Sequence, residues 1–145
     1  SARALERVGS AARARGLEVD LRQADVNAKA PFGGARYDLV TAAYASIPRT
    51  PDDRGVGALL DAVAPGGTLL VINHDLEDMR AAMAQAGPES GSAFDPEAFV
   101  QIDDLVGAIA ERPDWTVEVH QRRERPAGAV SSRHVHDLVL RARRS

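Results

Sequence analysis

Two short apolar runs restrict this chain more than anything else in it. Tyr37-Asp38-Leu39-Val40-Thr41-Ala42-Ala43 and Thr68-Leu69-Leu70-Val71-Ile72-Asn73 are nearly continuous in aliphatic and β-branched residues, the pattern of strands buried on both faces in a parallel sheet. Between them, residues 53–64 put Val56, Leu59, Leu60 and Val63 on one helical face and stop at Pro65-Gly66-Gly67. Two such strands joined through a helix form a parallel βαβ unit, because parallel neighbours need a crossover of a dozen or more residues. Tyr37–Ala43 therefore reads as a central strand.

The remaining segments fit around that unit. Residues 2–15 place Leu5, Val8 and Ala12 at helical spacing and end at Gly16, a natural C-terminal stop. Residues 17–24 alternate, with Leu17, Val19 and Leu21 on one side, which predicts a half-buried strand. Leu76, Met79, Met83 and Ala86 predict a helix over 76–86 that stops at Gly87, and 103–111 a short helix capped by Asp103. Residues 88–92, Pro-Glu-Ser-Gly-Ser, read as a surface insertion. The alternating runs 116–123 and 134–143, joined through Pro126-Ala127-Gly128, predict an antiparallel hairpin at a sheet edge. The whole chain, 1–145, reads as one domain.

Composition closes several classes of chemistry. The 145 residues contain no Cys, which removes disulfides, thiolate metal sites and Cys nucleophiles. No apolar run approaches the ~20 residues of a membrane span, and no signal core is present, so a cytoplasmic protein is expected. Net charge is −3, yet the segment from Trp115 onward carries an excess of four positive charges. Single-stranded nucleic acid would want aromatics interleaved with that charge, and aromatics are 4% of the chain, so a solvated arginine rim is the reading taken. The opening Ser1-Ala2-Arg3-Ala4-Leu5 looks like the interior of a helix rather than the start of a protein, and predicts a fragment.

In order and spacing these pieces resemble the rear two-thirds of a class I S-adenosylmethionine-dependent methyltransferase. The motifs are a strand ending in Ala24-Asp25-Val26, then Tyr37-Asp38-Leu39-Val40, then Ala64-Pro65-Gly66-Gly67-Thr68-Leu69-Leu70-Val71, and a terminal hairpin. The resemblance implies an α/β, Rossmann-like methyltransferase sheet, mostly parallel with a C-terminal antiparallel hairpin, its N-terminal third absent. Neither the family's acidic-x-Gly-x-Gly turn nor its ribose-binding acidic residue is found in this sequence. The strand that in the family lies beside Tyr37–Ala43 is missing with them, so that edge should stand open and invite pairing with another copy of the chain.

The resemblance also assigns site residues. Asp25 would accept the adenine amino group, Val26 would offer its backbone N–H to the ring, and Ala42, Ala43 and Tyr44 would line the sulfonium end, with S-adenosylmethionine as cofactor. Asn73, His74 and Asp75 leave the second apolar run at the edge where open α/β sheets bind ligands. His74 is a candidate general base, and Asp75 is equally placed to cap the following helix. His134 and His136 share a strand face and with His120 could chelate a metal, but with no Cys and no clear carboxylate partner no metal site is expected. Trp115, Phe32, Phe94 and Phe99 read as anchors, with Phe94 and Phe99 a possible lid over a small apolar acceptor. The implied activity is methyl transfer to a small molecule in the intact protein. A catalytically silent methyltransferase-like partner is the alternative, and a nucleotide-binding oxidoreductase is disfavoured because no Tyr/Lys catalytic pair is found.

Overall fold

A computed structural model of the chain describes residues 1–86, 95–126, 128 and 135–145, with only the backbone of 82, 83, 85 and 86. Four strands form one sheet in the order β1-β2-β4-β3: β1 (Tyr37–Ala43), β2 (Val63–His74), β3 (Trp115–Glu124) and β4 (His136–Arg144). β1 and β2 run parallel, with Val40 opposite Leu69 and Ala42 opposite Val71. β4 lies antiparallel between β2 and β3, so the terminal hairpin forms as expected and the parallel part is the β1–β2 pair.

The crossover between β1 and β2 is α2 (Arg54–Asp61), shorter than the 53–64 run because the chain is already extended at Val63. Pro65-Gly66-Gly67 makes a wide irregularity in β2. Tyr37 pairs with Val63 but Leu39 pairs with Thr68, so β2 advances five residues while β1 advances two. Gly66 takes φ +78° there, a left-handed value that glycine adopts at no steric cost.

One face of the sheet is covered by α2 and α4 (Ile102–Ala110). Val40, Ala42, Leu69, Val71, Leu140, Ala142 and Trp115 meet Val56, Leu59 and Leu60 of α2 and Ile102, Leu105 and Ile109 of α4 in a single core. Burying the Val, Leu and Ile side chains among them contributes about 1.5–3 kcal/mol each. The cap of α4 is Gln101 rather than Asp103: the Gln101 N–H donates to Asp104 Oδ2 at 2.7 Å, and Asp103 turns outward to His120 at 3.3 Å.

The opposite face of β1 is open, contrary to the expectation of a strand buried on both sides. Its burial alternates, with Leu39 57% exposed, and among the described residues no strand pairs with its outer edge. An apolar run records that both faces need cover, but not that the covering layer lies in the same stretch of sequence. Residues 17–24 fail as a strand for the same reason, since a strand needs a ladder partner and none is described there. Leu17, Val19 and Leu21 are exposed.

The opening helix does form. α1 (Ala2–Ala14) begins with Ser1 Oγ accepting the Ala4 N–H and ends at Gly16 with φ +66°. Gly16 N–H donates to Arg13 O and Leu17 N–H to Ala12 O, the paired bonds of a Schellman stop. It buries only Gly9 and Ala12, and Leu21 packs close over Gly9. α3 (Leu76–Ala86) spans the expected range. The Gly87 stop, the insertion 88–92, Phe94 and His134 lie outside the described residues. Among the described residues no helix is long and apolar enough to cross a membrane.

Candidate functional site

The carboxyl ends of β1 and β2 are the place to look, because in an open α/β sheet ligands bind beyond those ends. Tyr44 follows β1 directly. Its N–H donates to Ile72 O at 2.7 Å, and its φ of +52° puts a bulky residue in the left-handed region, a strain that persists only where neighbours hold it. Two of those neighbours are His74, whose ring lies 4.5 Å from the Tyr44 ring, and Asp137, whose Oδ2 accepts the Tyr44 hydroxyl at 2.7 Å.

Asp137 is 7% exposed and stands in register opposite His74 across β2 and β4, so both side chains rise from the same face. His74 Nδ1 lies 3.3 Å from Asp137 Oδ1, and Arg125 Nε lies 3.4 Å from Oδ2 with its guanidinium 5.7 Å from the Tyr44 ring centroid. The hydrogen bond to Asp137 raises the Tyr44 phenol above its ordinary pKa, with burial and the carboxylate's charge adding and Arg125 opposing. The neighbour Asp75 does not pair with His74. Its Oδ1 accepts the Asp78 N–H at 3.0 Å as the cap of α3, and its Oδ2 takes Arg122.

A second set of contacts pins the start of α3 to the hairpin. Asp78 Oδ2 accepts the N–H groups of Val135 and His136 at 3.1 and 2.8 Å and faces His136 Nδ1 at 3.1 Å, while its Oδ1 takes Arg122. Burial alone would push the Asp78 carboxyl up, but the donors of His136 and Val135 outweigh it and hold it below the usual range. His120 and His136 are thus engaged by Asp103 and Asp78 respectively. Among the described residues no group of three or more such side chains is placed to hold a metal.

The cavity at this edge has a volume of 220 Å³, and Tyr44, Ser46, Asn73, His74, Met79, Phe99 and Gln101 are among its lining residues. Its far wall exists because the loop after β1 pairs with the approach to α4. Val100 N–H donates to Ile47 O and Arg49 N–H to Ala98 O, with Arg49 ion-paired to Asp104. Phe99 is therefore a wall residue. Two larger concavities lie away from the carboxyl ends of β1 and β2: a groove of 670 Å³ between α1 and 17–24, and one of 450 Å³ between loop 28–36 and α2.

The remaining sequence-derived residues are placed less centrally. Ala42 faces the core with Val40, which leaves Ala43 as the small residue on the exposed face. Asp25 follows an irregular segment rather than a strand end. Its Oδ1 accepts the Asn27 N–H at 2.9 Å in a tight turn, and Asn27 Nδ2 ties that turn to Pro48 O, in the loop that follows Tyr44. Asp25 is exposed and Val26 half-buried against the core. Asp137 and Arg125 were missed. The available signal was an acidic residue inside the apolar run Val135-His136-Asp137-Leu138-Val139-Leu140, since an unpaired carboxylate is costly there.

No family model matches the sequence, and no curated protein matches it. Solved structures do. One is a SAM-dependent methyltransferase from Methanosarcina mazei, 15% identical, with TM-score 0.61 over 99% of this chain and 78% of the other. The fold is that of a Rossmann-like methyltransferase. A second match is a protein described under the conversion of a disulfide bond into a thioacetal group during echinomycin biosynthesis. It is 22% identical, with TM-score 0.64 over 97% of this chain. This chain spans 62% of that protein's length.

The Methanosarcina mazei protein is described as SAM-dependent, and two places in this chain can be compared with the chemistry of S-adenosylmethionine. Asp25 Oδ2 and the Val26 N–H make no hydrogen bond to a described residue, and an adjacent acceptor and donor match the amino group and ring nitrogen of adenine. At the other end, Ala43 is small and exposed beside Tyr44 at the end of β1, which leaves room for the sulfonium end.

Proposed function

We propose that this chain carries the adenine-contacting turn and the acceptor pocket of an S-adenosylmethionine-dependent methyltransferase acting on a small molecule. The observation that carries the reading is the cavity lined by Tyr44 and His74 at the carboxyl ends of β1 and β2. Asp25 and Val26 would hold adenine, with Ala43 and Tyr44 at the sulfonium. Bound there, S-adenosylmethionine would supply the methyl group to the acceptor's lone pair, the carbon–sulfur electron pair staying with sulfur.

The chain's own residues do the rest. Tyr44, Phe99 and Met79 line the pocket and would hold a flat or apolar acceptor against the sheet edge, and holding two reactants in line removes much of a bimolecular barrier. His74 accepts the proton that the acceptor's hydroxyl, amine or thiol loses as the bond to carbon forms. At 220 Å³ the pocket lies below the roughly 300–1,000 Å³ of drug-sized sites, so the acceptor is small.

The test is calorimetric titration of the complete protein with S-adenosylmethionine, wild type against Asp25→Asn. The amide keeps the oxygen that caps the Asn27 turn but replaces the other with a donor facing the adenine amino group. Affinity should fall by about 1–3 kcal/mol, roughly 5- to 150-fold. Equal affinity removes Asp25 from the site, and no binding by the wild type ends the proposal.

A further inference from the structure

Asp137 is a buried acid that the methyl-transfer reading leaves without a task. It sits beneath the pocket wall rather than in it, since Tyr44 and His74 line the cavity and Asp137 does not. An ionised carboxylate only accepts hydrogen bonds, so each group within reach must present a proton. Oδ2 takes the Tyr44 hydroxyl at 2.7 Å and Oδ1 faces His74 Nδ1 at 3.3 Å. A neutral His74 paired in this way carries its proton on Nδ1 and its lone pair on Nε2. Arg125 supplies the compensating positive charge against Oδ2, without which a buried carboxylate would be costly.

We propose that Asp137 is the positioning residue of this site: one carboxylate fixes the tautomer and ring plane of His74 and anchors the left-handed Tyr44 by its hydroxyl. This rests on the proposed methyl-transfer reading and adds to it a residue that does not touch the acceptor. The backbone supports the assignment. Tyr44 keeps φ +52°, and beyond its N–H bond to Ile72 O and the His74 ring beside it, the hydroxyl bond to Asp137 ties its ring to the sheet. Losing that tie would free Tyr44 to relax its backbone and uncover His74. Arg125, covering the Tyr44 ring and the carboxylate together, closes the arrangement from the hairpin side.

Among the described residues the charged and titratable groups facing the carboxylate are Tyr44 beyond β1, His74 of β2 and Arg125 after β3, with Arg123 opposite Asp137 in the β3–β4 register. The proposal is tested on the complete protein by nitrogen-15 spectroscopy of the His74 ring and spectroscopic titration of the Tyr44 phenol, in wild type, Asp137→Asn and Asp137→Leu. Neither readout needs cofactor or substrate. Wild type should show His74 protonated at Nδ1, and a phenol titrating above the ordinary tyrosine value. Asp137→Leu should leave the tautomer unpinned, and both variants should bring the phenol down. Should Asp137→Leu fail to fold, the phenol titration in Asp137→Asn carries the test. Where methyl transfer is measurable, Asp137→Asn should lower kcat at least tenfold with little change in KM. His74 ring signals and a Tyr44 titration unchanged by loss of the charge would overturn the proposal, whatever the activity. Altered signals without methyl transfer would uphold the positioning and remove the catalytic reading.

Discussion

Replacing Gly67 with alanine tests how the Pro65-Gly66-Gly67 turn is built. A Cβ placed on Gly67 would stand 2.8 Å from Ala64 O, 2.9 Å from Val63 Cγ1 and 3.0 Å from Tyr37 O. Two of those atoms are main-chain carbonyls, one inside the irregular stretch of β2 and one at the start of β1, so relief requires moving backbone in both strands. Forced overpacking of this kind costs about 1–3 kcal/mol, and with no flexible side chain to give way at either carbonyl the upper end is expected, about 3 kcal/mol. Gly66→Ala is the control: no atom lies within 4 Å of its Cβ, and the φ of +78° alone sets the cost, about 1–2 kcal/mol. Urea unfolding followed by circular dichroism reads both. The Gly67→Ala midpoint should fall by about 1 M or more for a domain of this size, and further than that of Gly66→Ala. A Gly67 variant within about 0.5 kcal/mol of wild type would refute the close approach of β1 to the turn.

Other outcomes follow from the same geometry. Gly57 lies in α2 with open space where a Cβ would go, so Gly57→Ala should stabilise by about 0.5–1 kcal/mol in the same unfolding assay. Leu69→Ala empties a fully buried position at the centre of the core and should cost about 2–5 kcal/mol. The Asp78 carboxyl is held below its unfolded value, so its contribution is present above about pH 4 and lost as pH falls through the folded value. Wild type should therefore lose more stability than Asp78→Asn between pH 5 and pH 2 (roughly, by that linkage), measured as the difference in urea midpoint.

The βαβ unit and the hairpin were legible because their patterns are complete within themselves. Val40 and Ala42 meet Leu69 and Val71 across one ladder, and β4 finds its partners in β2 and β3. Residues 17–24 were misread because alternation reports a face that wants burial, and a strand exists only when a neighbour takes its hydrogen bonds. The outer face of β1 fails in the same way, its Leu39 apolar yet exposed. At the sheet edge, the places of His74 and Tyr44 were legible from the apolar runs that precede them. Their common partner Asp137 was not, because it lies 63 residues beyond His74 and the β2–β4 register that joins them is not written locally. Asp75 was legible as the cap of α3, because successive residues of an extended chain point to opposite sides and its carboxylate precedes the helix directly.

The most direct test of a methyl-transfer site at this sheet edge is a backbone amide titration of the complete protein with S-adenosylmethionine, read by nitrogen–proton correlation spectroscopy. The account predicts saturable shifts at Asp25, Val26, Ala43, Tyr44 and His74, with loop 28–36 and the Arg54–Asp61 helix unmoved. Shifts confined to that loop and helix, or no saturable shift at all, would contradict it.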